Sequence, residues 1–184
     1  MTDPTNSPAS AYDLTRDDDA PERRTLAIMV DNEPGVLARV VGLFSARGFN
    51  IESLTVAEVD ASRHRSRITV VTNGTPDTLE QIEAQLLRLV PVGRVIDITK
   101  SKRGIERELA LIKVAGTGDK RIEALRLSDI FRANVIDTTL ESFVFELTGS
   151  SDKVDQFIEL MRPLGLVEVS RTGVLSIQRG KEKG

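Results

Sequence analysis

Leu26, Ile28 and Val30 alternate with Thr25, Ala27 and Met29, so residues 24–31 carry the period of a strand with one buried face. The period changes near Pro34. Val36, Leu37, Val40, Val41 and Phe44 recur at helical spacing with Arg39 and Arg47 turned away from them, which predicts a helix from about Pro34, where the missing N–H of proline costs nothing in a first turn. Gly48 ends it. Residues 50–59 return to a strand, 60–65 form a polar turn, and 66–72 supply the hairpin partner through Ile68, Val70 and Val71, closed by Asn73-Gly74. Thr75 as N-cap and Pro76 behind it open a second helix through Leu79, Ile82, Leu86, Leu89 and Val90, stopped by Pro91. A strand over 93–99 completes the order βαββαβ.

The same order returns after the short polar join 101–104. It predicts strand 108–115, helix 119–133, strands 135–141 and 143–148, helix 151–164 through Val154, Phe157, Ile158 and Met161, and strand 166–171. Thr172-Gly173 is a turn, and 174–178 fits an added strand. The fold class is therefore α+β: two successive ferredoxin-like βαββαβ units, each an antiparallel sheet with its helices on one face. Residues 1–22 read as a tail, 23–100 as the first unit, 101–104 as a linker and 105–184 as the second unit. Units this small bury a modest part of their surface, so the other sheet face is expected to be covered by pairing across a dimer.

Composition removes several kinds of chemistry. The chain of 184 residues has no cysteine, which excludes disulfides, thiolate metal sites and thiol nucleophiles and fits a cytoplasmic protein. No apolar run is long enough for a bilayer, so no membrane is expected. The first 22 residues hold six acids against Arg16 alone, a net −5 within the total of −3, leaving +2 for the remainder. The tail, rich in Pro, Ser, Thr and Asp, is expected to be disordered, with Asp17-Asp18-Asp19 as solvated acids. A body so near neutral gives no field for nucleic acid. Aromatic content is 4%, and Leu26, Ile28, Ile68 and Val70, expected to be exposed on the central strands, offer no platform for bases. Lys100, Lys102 and Arg103 read as a solvated linker. The sole histidine, His64, lies in the polar turn with no second ligand at suitable spacing. No nucleophile elbow, phosphate loop or dinucleotide fingerprint occurs, and Gly116-Thr117-Gly118 reads as the end of a strand.

The start of the first helix is where a small ligand fits best. N–H groups of a first turn have no partner inside the helix, and the macrodipole adds partial positive charge. Such an end suits a carboxylate. The N–H groups of Gly35, Val36 and Leu37 are candidate donors, the amides of Asn32 and Asn50 are candidates to orient a zwitterion, and Val36, Leu37 and Ile51 are candidate walls for an apolar side chain. By themselves these residues also suit an ordinary helix start and the beginning of a strand.

A resemblance selects between the two readings. Asn32-Glu33-Pro34-Gly35-Val36-Leu37, followed by Gly48-Phe49-Asn50-Ile51-Glu52-Ser53-Leu54-Thr55-Val56, resembles the ACT domain of the small subunits of acetohydroxyacid (acetolactate) synthase. Further matches lie at 107–114, at Arg171-Thr172-Gly173 and at Arg179-Gly180, so the resemblance covers about residues 23–180; the acidic tail is a departure from it. It implies a non-catalytic regulatory subunit in valine, leucine and isoleucine biosynthesis, with no cofactor of its own. The large catalytic subunit, its partner, would carry thiamine diphosphate, Mg and FAD, would be activated by this chain, and would become subject to feedback inhibition by valine. Valine would bind between two ACT domains paired side by side in a homodimer, at Asn32, Gly35, Val36, Leu37, Asn50 and Ile51, with Asn50 and Ile51 reaching the helix turn of the neighbouring chain. The rival reading is a stand-alone ACT sensor of another enzyme, which would not need the matches at 107–114 and 171–173. The second unit has no Pro-Gly turn at the equivalent helix start and is expected to serve assembly or modulation, leaving valine binding to the first.

Overall fold

The computed structural model describes residues 20–101 and 103–181. Most of the expected disordered tail, residues 1–19, therefore lies outside the described residues. The first unit runs β1 (Glu22–Asp31), α1 (Val36–Ala46), β2 (Ile51–Asp60), β3 (Arg65–Gly74), α2 (Pro76–Leu86) and β4 (Val92–Asp97). The second runs β5 (Gly104–Ala115), α3 (Asp119–Phe131), β6 (Asn134–Thr138), β7 (Ser142–Gly149), α4 (Ser151–Gly165) and β8 (Leu166–Arg171), followed by β9 (Leu175–Gln178). The strand orders are β2-β3-β1-β4 and β6-β7-β5-β8, with β9 paired to β5, and the pairings within both sheets are antiparallel. The two βαββαβ units expected from the pattern are present.

Leu26, Ile28 and Val30 of β1 and Ile68 and Val70 of β3 pack against Val36, Val40 and Phe44 of α1 and Leu79, Ile82 and Leu86 of α2. These strand residues were expected to be exposed; they are buried beneath the helices, and the opposite sheet face carries Thr25, Ala27, Thr69 and Val71. The second core sets Ala110, Ile112, Phe145 and Leu147 against Val154, Phe157 and Met161 of α4. Two helix limits also differ from expectation. α1 starts at Val36 because Gly35 is its N-cap at φ 85°, a left-handed conformation that puts Pro34-Gly35 in the preceding turn. α2 stops at Leu86, since Val90 is 95% exposed and belongs to no apolar stripe.

The main departure concerns the second face of the first sheet. Thr25, Ala27, Thr69 and Val71 are buried there, and Ile96 and Ile98 join Ala27 in a small cluster. Part of the cover comes from the chain's own second unit. β5 begins at Gly104, four residues before the expected 108, and residues 104–107 pair with β9. A Cβ at Gly104 would overlap Ile98, and one at Gly173 would lie 2.7 Å from Ser53 of β2. The cover assigned to a dimer is thus in part intramolecular, and a chain cut after Lys100 would uncover Ile98.

α4 passes directly into β8 at Gly165, whose φ is 108° and whose Cβ would overlap the Ala115 carbonyl. Gly165→Ala is expected to lower unfolding free energy by at least about 2 kcal/mol in denaturant titration. Gly42→Ala, in mid-helix with open space around it, is expected to stabilise by roughly 0.5 kcal/mol.

Candidate effector site and the contact between the units

The turn between β1 and α1 is held from outside the helix. Asp31 N–H donates to the Pro91 carbonyl at 2.9 Å and Asn32 N–H to the His64 carbonyl at 2.6 Å. The Asn32 amide donates to Glu58 at 3.3 Å, and Arg39 donates to Glu33 at 2.9 Å. Val36 N–H is accepted by the Glu33 carbonyl at 3.2 Å. The N–H groups of Gly35, Leu37 and Ala38 take no acceptor from the described residues, and α1 has neither a capping side chain nor an acid in its first turn. The helix therefore presents its positive end without an anion.

The Val36 N–H is thus engaged within the turn, and its side chain is buried with Val40 and Phe44. Leu37 is the exposed apolar residue of the turn, at 38%. Asn50 and Ile51 lie elsewhere. The Asn50 carbonyl accepts from Thr72 at 2.6 Å, its exposed amide has no partner among the described residues, and Ile51 is half-buried opposite Thr72. The turn sits beside Glu58 and His64, whereas Asn50 and Ile51 begin the same strand. From Ile51 to Glu58 within β2 an extended chain covers about 20 Å. One chain does not bring the two groups together.

β2 is an edge of its sheet. Its register shifts at Ile51/Ser53 and at Glu58/Asp60, leaving a regular run between them, and Val56 and Val59 are exposed. His64 is exposed in a left-handed turn conformation, as its sequence context suggests. Among the described residues no group of three or more His, Cys, Asp or Glu side chains could hold a metal.

A second cluster was given no role by the sequence reading. Glu108 of β5 is 3% exposed and pairs with Arg171 at the end of β8; a second arm of Arg171 donates to Asp155 of α4 at 2.6 Å. Burial alone would lower the pKa of Arg171, but the hydrogen bonds it donates to Glu108 and Asp155, with their negative charges, hold it above the usual arginine range. Next to it, Thr172 N–H donates to the Leu109 carbonyl at 3.0 Å and Leu109 N–H to the Thr172 hydroxyl at 3.1 Å. These residues border a cleft of about 470 Å³ between the units, whose other wall holds Arg23, Glu52 and Ser53. The sequence signal for this cluster is Arg171-Thr172-Gly173.

The model of the AHAS small subunit-like ACT domain matches residues 26–94. That places the chain in the class of regulatory proteins built on ACT domains. A second model, described as the small subunit of acetolactate synthase, matches residues 107–180. A probable acetolactate synthase small subunit of Archaeoglobus fulgidus is 47% identical over 161 residues, covering 88% of this chain and 99% of that protein. The acetolactate synthase small subunit of Haemophilus influenzae is 46% identical over 161 residues, covering 87% and 98%. The crystal structure of the acetolactate synthase small subunit from Thermotoga maritima superposes with a TM-score of 0.78 at 38% identity, covering 88% of this chain and 99% of that one. The chain belongs to the family of small regulatory subunits of acetolactate synthase. No described helix is long and apolar enough to cross a membrane.

Removing one member of a buried ion pair leaves the other charged and unsolvated. Arg171→Leu is expected to destabilise the chain by about 3 kcal/mol, read from a lower denaturation midpoint at unchanged slope.

Proposed function

We propose that this chain binds the large catalytic subunit of acetolactate synthase, raises its activity and makes it subject to feedback inhibition by valine held between the ACT domains of two copies. The reading draws its partner from the family, whose relatives are named as small subunits of that enzyme. Thiamine diphosphate, Mg and FAD belong to the large subunit in this reading, and this chain contributes no reacting group.

The observation that carries the valine site is the placement of its two halves at opposite ends of edge strand β2. Antiparallel pairing of β2 with the β2 of a second copy, about a twofold axis near Leu54 and Thr55, sets Asn50 and Ile51 of one chain beside the Pro34-Gly35 turn of the other. The ligand carboxylate then meets the open N–H groups of Gly35 and Leu37. The Asn50 amide, unpartnered among the described residues, faces the zwitterion, and Leu37 and Ile51 enclose the branched side chain. Burying such a side chain is worth about 1.5–3 kcal/mol, so selectivity over the next homologue is modest. Effector and substrate sites lie on different chains, joined by a coupling free energy of typically about 1–3 kcal/mol. A stand-alone sensor of another enzyme is disfavoured by the match over 107–180.

Mixing the purified chain with the large subunit is expected to raise acetolactate formation, and valine to lower it again. No change on mixing, with valine still bound in calorimetry, would move the chain to a different partner. Gly35→Asp is expected to abolish valine inhibition while activation persists: aspartate tolerates the left-handed backbone better than most residues and sets a negative charge where the carboxylate belongs. Inhibition by valine that survived in this variant would remove the turn from the site.

A further inference from the structure

We propose that the Arg171–Val174 turn transmits the state of β2 from the valine site to the second unit. The proposal rests on the reading of β2 as the strand that carries half of that site. Two hydrogen bonds join the turn to β2: the Thr55 hydroxyl donates to the Val174 carbonyl at 3.1 Å, and Val174 N–H donates to the Ser53 hydroxyl at 2.9 Å. Val174 is 3% exposed, and Gly173, at φ 81°, approaches so closely that a Cβ would stand 2.7 Å from the Ser53 hydroxyl and 3.1 Å from the Thr55 methyl. Ser53 is two residues beyond Ile51, across the shift in strand register. A second tie runs beside the first, with Arg23 bridging Glu52 of β2 and Glu106 of β5 at 3.3 Å each.

The other end of the turn is equally fixed. Thr172 is bonded to Leu109 in both directions, and Arg171 is pinned to Glu108 of β5 and Asp155 of α4. Coupling between distant sites needs a contiguous, stiff connection, because a compliant one absorbs displacement. A left-handed glycine packed on one strand and hydrogen-bonded neighbours on the next provide that stiffness. Displacement of Ser53 and Thr55 when valine enters beside Ile51 is carried through Val174 into β9 and through Thr172 into β5. This gives Arg171-Thr172-Gly173 a role that neither core packing nor ligand contact supplies.

The test uses the full chain with the large subunit and the double variant Ser53→Ala, Thr55→Val, which removes both hydroxyls and keeps side-chain volume nearly constant at residue 55. Valine affinity of the small subunit by calorimetry is expected to change less than about twofold, while the ratio of activities without and with saturating valine falls about tenfold, within the span of typical coupling. In hydrogen exchange, valine is expected to alter residues 104–107 and 175–178 in the unmodified chain and only the first unit in the variant. Thr55→Ser, which keeps the hydroxyl, is expected to behave as the unmodified chain. Inhibition and exchange unchanged in the double variant would overturn the proposal. Loss of valine binding itself would also overturn it, because the substitutions would then act on the site. An unmodified chain that neither binds valine nor confers inhibition would remove the underlying reading, and that outcome is visible before any variant is made.

Discussion

A four-stranded sheet with both helices on one side must close its other side or leave it to water, and the first unit solves that problem with the second. Ala27, Val71 and Ile98 have no long polar side chains of their own to shield them. The extension of β5 to Gly104 brings a ribbon of two strands to this face, and the turn at Gly173 fits where any larger residue would collide with β2. β5 thereby belongs to both halves: its first four residues pair with β9, and from Glu108 onward it is an inner strand of the second sheet. The join between the units is a pinned turn, with Lys100 N–H on Asp97 and Arg103 N–H on the Ser101 hydroxyl.

Pairing of backbone groups also distinguishes the turn between β1 and α1. Where β1 ends, carbonyls of Pro91, His64 and Glu33 absorb the N–H groups of Asp31, Asn32 and Val36, and the unclaimed donors gather at Gly35 and Leu37. Those donors lie on the surface, at the edge of the sheet, beside a strand whose backbone has one free side. The positive helix end and the open strand edge are therefore parts of one region.

Much of the fold was legible because each element buries a single face. Period two in β1 and β3 separated the two faces of the sheet but did not say which lies beneath the helices, since Leu26, Ile28, Ile68 and Val70, expected in water, are core; period 3.6 in α1 and α4 did identify the stripes that pack on the sheets. The second face of the sheet was not legible. Thr25, Ala27 and Thr69 are small or ambivalent residues that sit equally well in water or under a covering strand. The early start of β5 was hidden by Glu106 and Arg107, since adjacent charges look like loop, and the pairing of Glu106 with Arg23 across the interface leaves no local pattern. α3 buries Ala124, Leu127 and Ser128, a stripe too small to announce itself. In the candidate site, Pro34-Gly35 was readable as turn chemistry, but the distance from that turn to Asn50 depends on strand register, which no local pattern states.

The shape of β2 bears on how far assembly proceeds. Its regular run lies between irregularities at Ile51/Ser53 and Glu58/Asp60, whereas β6, exposed along its whole length, is broken at Val135/Asp137. A bulge in so short a strand spoils its edge as a template. A strand that pairs with its own copy about a twofold axis consumes the same edge on both molecules. Under the proposed twofold pairing, growth through β2 would stop at two chains, and a surface able to accept another strand would not become the start of a filament.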